Sequence, residues 1–156
     1  MTRIDRVSRQ IAASPTAVYD ALLDPAALEA WLPPEGMSGR VEHWDPRPGG
    51  GFRMVLTHLD ATGSPGKSSG ATDVVAVGFA DLTPAERVVQ RAVFEADDPA
   101  FAGTMTMTWQ MEKTSMGTTV TVTATDVPTG ISATDHEAGI ASSLANLADY
   151  LEKETP

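Results

Sequence analysis

The feature that most constrains this chain is one apolar stripe near its C-terminus. Ile140, Leu144, Leu147 and Leu151 recur at helical spacing, so a long helix with a single narrow apolar face is expected there. Thr134-x-x-Glu137 stands before it and matches a capping box, in which each side chain satisfies the other residue's free backbone N–H. The chain from 37 to 127 is different in character. Thr, Val, Met and Phe dominate it and turn residues interrupt it, which predicts strands near 38–45, 51–60, 71–82, 86–96, 102–113 and 117–127.

The beginning of the chain supplies the remaining elements. RIDRVSRQIA, residues 3–12, sets Ile4 and Val7 among charges and reads as an opening strand. Ser14-Pro15 and Asp24-Pro25 each place a capping residue before a proline at the first helical position. Two short helices follow, the second ending near Trp31, and Pro33-Pro34 stops it for want of N–H donors. ATGSPGKSSGA, residues 61–71, is too rich in Gly and Ser to pack and reads as a mobile loop. Thr83-Pro84-Ala85-Glu86, Asp97-Asp98-Pro99 and Ser115-Met116-Gly117 read as turns.

This order predicts one α+β domain over 1–156: a seven-stranded curved antiparallel sheet wrapped around a long C-terminal helix, with two short helices after strand 1. One face of such a sheet needs cover, and only the terminal helix is long enough to give it. A single helix does not fill so wide a hollow, so a cavity beneath it is expected.

HWDPRPGGGFRMVL, residues 43–56, raises the question of a phosphate loop. Such a loop joins a strand to a helix N-terminus, whose amides hold the anion. Here Phe52-Arg53-Met54-Val55-Leu56 follows the glycines and alternates like a strand. The glycines are therefore read as turning a hairpin after Pro46 and Pro48, where they permit positive φ or a bulge.

Charge narrows the partners. The chain has 11 Lys and Arg against 21 Asp and Glu, a net charge of −10, so nucleic acid and anionic membrane surfaces are poor partners. With no cysteine, disulfides, thiolate metal sites and a Cys nucleophile are excluded. MTRIDRVSRQI lacks the apolar core of a signal peptide, and no apolar run approaches the roughly 20 residues that span a bilayer, so a cytoplasmic protein is expected. No cofactor is expected, and a homodimer stays open.

Strand alternation nominates the inward side chains. Phe52, Met54, Leu56 and His58 share one face of one strand; Met105, Met107, Trp109 and Met111 share one face of another. Such a face is either ordinary core or the wall of an apolar pocket, for which flexible methionines suit adaptable binding. His58 is in phase with the apolar face and could donate to a ligand or act as acid or base; the plainer reading is a solvated strand end. His136 falls on the buried side of the helix near Ile140, or is simply a helix-terminus histidine between Asp135 and Glu137. Trp31 either closes the pocket or anchors the core. His43, His58 and His136 have no shared short spacing, so no metal is expected, and no GxSxG elbow marks a serine nucleophile.

Several of these motifs together resemble the SRPBCC, or START-like, superfamily with its helix-grip fold, and within it bacterial homologues of the activator of heat-shock-protein-90 ATPase. They are Ser14-Pro15 with Val18-Tyr19 and Leu22; Asp24-Pro25 through Leu28 to Trp31; Asp45-x-x-Pro48-Gly49-Gly50-x-Phe52; Leu82-Thr83-Pro84-x-Glu86-Arg87-Val88-Val89; Gly117-Thr118; and the last helix with Gly139 and Leu144. The similarity runs from about residue 3 to 153. Members of that family often carry Trp after the helix glycine, where this chain has Ile140.

The resemblance implies no single catalytic motif, and it tilts the inward residues toward a pocket. Trp31, Phe52, Met54, Leu56, His58, Met105, Met107, Trp109, His136, Ile140 and Leu144 are the candidate ligand-binding residues. Three functions follow in order. The first is binding of a small hydrophobic molecule without covalent chemistry. The second is an enzyme of the cyclase, lyase or hydrolase kind found in the superfamily, with His58 or His136, and Arg91 or Asp73, as acid–base groups. A co-chaperone ranks last, because the eukaryotic protein that names the family has a further domain.

Overall fold

Alternation between threonine and small apolar residues is clearest in GTTVTVTAT, and it builds a strand with Val120, Val122 and Ala124 fully buried on one face. The computed structural model describes residues 3–34, 36–58 and 72–153. Its elements in chain order are β1 (Ile4–Ile11), α1 (Pro15–Leu22), α2 (Pro25–Trp31), β2 (Met37–Asp45), β3 (Gly51–His58), β4 (Thr72–Thr83) and β5 (Arg87–Phe94). A short 3-10 turn (Pro99–Phe101), β6 (Met105–Thr114), β7 (Gly117–Thr125) and α3 (Ala133–Lys153) complete them. The 61–71 loop and the last two residues expected of the second predicted strand in that region, 59–60, lie outside the described residues.

The seven strands form one antiparallel sheet in the order β1-β7-β6-β5-β4-β3-β2. The meander is as expected, with β1 returning to pair beside β7. The glycines do turn the β2–β3 hairpin: Gly50 N–H bonds to the Arg47 carbonyl at 2.8 Å and Gly49 takes φ +88°. β3 follows them directly.

Both expected caps at the short helices form. Ser14 Oγ accepts from Ala17 N–H at 3.1 Å, and Asp24 Oδ1 accepts from Ala26 N–H at 3.0 Å. The expected capping box on α3 does not. Ser132 caps that helix instead, its Oγ accepting from Asp135 N–H at 3.0 Å. Glu137 is drawn elsewhere: its carboxylate accepts from the Arg6 amide of β1 at 3.0 Å.

That contact is one of three that close the sheet edges. Glu152 of α3 accepts from Ala12 N–H just past β1, and Glu29 of α2 accepts from Val41 N–H on β2. β1 and β2 are the two edge strands, so helix carboxylates occupy donors that would otherwise invite another strand. The stop after α2 is sealed in a similar way. Ser143 Oγ donates to the Leu32 carbonyl at 2.6 Å and Asn146 Nδ2 to the Pro33 carbonyl at 2.9 Å, so α3 satisfies the two carbonyls that directly follow α2.

The stripe on α3 packs into the concave face as its spacing required. Leu144, Leu147 and Ala148 are fully buried there, with Ile140 and Leu151 nearly so. Trp31 lies in the same core, also fully buried, with its indole N–H on the Ala21 carbonyl at 3.1 Å.

Candidate functional site

The core is filled where the middle of α3 meets α1 and α2, and it opens where the helix begins. A cavity of about 430 Å³ lies between the inward faces of β3–β6 and the first turns of α3. Phe52, Met54 and Leu56 bring one wall, Met105, Met107 and Trp109 the opposite one, and His136 and Ile140 the roof. Three other candidates fall outside this lining. Leu144 and Trp31 belong to the solid core, where Trp31 stands edge-on to Trp109 with ring centroids 5.6 Å apart. Trp31 is thus the core anchor of the two readings offered for it. His58 sits at the end of β3, its side chain about a fifth exposed and its Nε2 4.0 Å from Asp73 Oδ2.

Beneath the hairpin an aromatic cluster backs the cavity, and of its members only Phe52 is in the lining. Phe52, Phe79 and Trp44 form a cluster with ring centroids 5.3 to 5.9 Å apart. Trp44 packs against the core there and does not line the cavity.

The lining is apolar except at a few places. His136 is the best defined of these. Its Nδ1 is 2.8 Å from Asp5 Oδ2, and Asp5 is completely buried at the start of β1. Arg3 holds the same carboxylate with Nε at 2.9 Å and a terminal nitrogen at 2.8 Å. The Arg3 guanidinium foremost, and the His136 ring after it, hold the Asp5 carboxyl below the usual range despite its burial. An ionised carboxylate only accepts, so the imidazole donates through Nδ1, and its Nε2 has no partner among the described residues.

Gln90 and Asp73 are the polar groups on the sheet. Both are buried and both line the cavity. The Trp109 indole N–H donates to Gln90 Oε1 at 3.0 Å. Gln90 was not nominated from the sequence, although Val88, Gln90 and Ala92 share the buried face of β5 and the same period-two argument used for His58 selects it. Arg91, offered as an acid–base partner, is exposed on the opposite face of β5 and does not line the cavity. Among the described residues no group of three or more His, Asp or Glu side chains is arranged to hold a metal ion. No helix there is long and apolar enough to cross a membrane.

Comparison with known proteins places this arrangement. The family model for activator of Hsp90 ATPase homolog 1-like proteins matches residues 12–152. The crystal structure of protein CV1439 from Chromobacterium violaceum is 32% identical, with 96% of this chain and 97% of that one covered and a TM-score of 0.82. The solution structure of an AHSA1-like protein from Aeromonas hydrophila shares the fold at 19% identity, covering 97% and 94%, with a TM-score of 0.74. DynU16, a protein of the dynemicin biosynthetic locus, also shares it at 21% identity and a TM-score of 0.70, with 98% of this chain but 48% of that one covered. No curated protein matches the chain in sequence.

Proposed function

This chain belongs to the activator of Hsp90 ATPase homolog 1-like family, and we propose that it binds a small hydrophobic molecule in the hollow between its sheet and α3. The observation that carries this reading is the cavity itself. Ligand sites occupy roughly 300–1,000 Å³ and are lined mostly by apolar side chains with a few placed polar groups. A hollow of about 430 Å³ walled by Phe52, Met54, Met105, Met107 and Trp109 fits that description. Its methionines have the conformational freedom to reshape the wall around different occupants.

A thermal-shift screen with hydrophobic metabolites tests it. A molecule present at a hundred times its dissociation constant stabilises the fold by about 2.7 kcal/mol, a clear rise in midpoint. A broad panel in which nothing raises the midpoint overturns the reading.

One observation favours a second function, acid–base catalysis on the bound molecule. His136 lines the cavity while Asp5 fixes its tautomer through Nδ1, which leaves Nε2 to accept a proton. Screening hits are then incubated with wild type and His136→Gln and followed for turnover. Loss of turnover with binding retained supports catalysis; absence of turnover in the wild type removes it.

A further inference from the structure

Gln90 lies in the middle of β5, paired across to Met107 of β6, with 6% of its surface exposed. Its amide has two ends of opposite character, and such groups are often ambiguous in orientation. Here they are not. The Trp109 indole N–H only donates, and it points at the Gln90 amide from 3.0 Å, so the oxygen must face it. The NH2 end is thereby turned away from Trp109.

Among the described residues that nitrogen has no hydrogen-bond partner, yet no fully buried side-chain nitrogen or oxygen is left without one. The Gln90 nitrogen is therefore open, and the space Gln90 lines is the cavity. Met107 faces it across the β5–β6 pairing, and Val75, Val77 and Ala92 line the same cavity; among these four side chains the only acceptor is the weak thioether sulfur of Met107. A donor held this way in apolar surroundings gains most from an occupant that brings an acceptor of its own.

We propose that Gln90 is the specificity-determining residue of the cavity, and that its amide N–H donates to the carbonyl oxygen of a hydrophobic ketone, ester or related carbonyl compound. This rests on the cavity reading above and adds the chemical class of the ligand. Trp109 acts as a positioning residue, since its indole sets which end of the amide meets the ligand.

The test uses the fluorescent ketone prodan and its analogue in which CH2 replaces the carbonyl. Wild-type protein is expected to bind the ketone about tenfold more tightly, the scale of one hydrogen bond in an apolar site. Gln90→Met should bring the two affinities together. The infrared carbonyl stretch of prodan bound to wild type provides a measure independent of whether that variant folds. It should lie below its value in a hydrocarbon solvent. Equal affinities in the wild type, or an unshifted stretch, overturn the role of Gln90 and leave the cavity reading standing. Binding of neither probe overturns the role of Gln90, and the cavity reading falls with it where the thermal-shift panel also gives no hit.

Discussion

The His136 ring lies 2.8 Å from the Asp5 carboxylate, a contact that joins the first strand to the last helix across 131 positions of chain. The pair ties β1 to α3 beside the cavity, and the Arg3 guanidinium neutralises the carboxylate. The folded protein holds the Asp5 carboxyl below its ordinary pKa. Its contribution is therefore fully present above the unfolded value, near pH 4, and is lost as pH falls through the lower folded value. Asp5→Asn is expected to cost roughly 2–3 kcal/mol at neutral pH, as for a buried hydrogen bond to a charged group. It should also flatten the acid side of the stability curve. Urea melts of wild type and variant from neutral pH down to about pH 3 measure both, and parallel curves would contradict the assignment.

Trp31 is expected to act as a structural post and not as a gate. It is wholly buried, bonded to the Ala21 carbonyl and set edge-on against Trp109. Trp31→Ala is expected to cost about 3–5 kcal/mol through the cavity it leaves. Trp31→Phe, which loses mainly the buried hydrogen bond, should cost about 1–2 kcal/mol. Affinity of Trp31→Phe for prodan should stay near wild type. A lid residue would give the reverse pattern, with stability kept and affinity lost.

The glycine run separates two kinds of constraint. Gly49 has φ +88° and open space where a Cβ would go, so Gly49→Ala meets only the backbone penalty, about 1 kcal/mol. Gly51 has no such dihedral, but a Cβ there would run into the Val77 carbonyl on β4. Gly51→Ala is expected to cost more, about 3 kcal/mol, because backbone must move to relieve it. Comparing the two denaturation midpoints checks the order. Inorganic phosphate should raise neither, as suits a hairpin that hands the chain straight to β3.

Local signals in the sequence were enough for the elements and their order. Ser14-Pro15 and Asp24-Pro25 are complete within four residues, and alternation along β6 depends only on its own side chains. Interactions across the fold were not legible in that way. Thr134-x-x-Glu137 fits the capping pattern, but Ser132 caps two residues earlier while Glu137 bonds to β1, a partner 131 positions away. Asp5 gave no hint of burial, since a charged residue beside an apolar Ile4 reads as the outward one. In the fold Ile4 is 53% exposed and Asp5 points in, because only the inward side offers Asp5 the His136 ring. Helical geometry put His136 on the side of α3 near Ile140, and both residues line the cavity. Gln90 carried the same signal as His58, a polar residue in phase with apolar neighbours. What set it apart, the indole of Trp109, sits on the next strand.

Ile140 offers a direct control on where a ligand sits. It follows Gly139 on the roof of the cavity and is nearly buried. Ile140→Trp would push an indole into space that is already open, so the overpacking cost should fall at or below the low end of the usual 1–3 kcal/mol. The protein should melt within a few degrees of wild type. Prodan affinity, in contrast, should drop about tenfold or more, because ligand and indole compete for one volume. Fluorescence titration beside a thermal melt reads both. If prodan bound this variant as tightly as wild type, it would be occupying some other surface, and the wall of Phe52, Met107 and Trp109 would have to be read as core with room to spare.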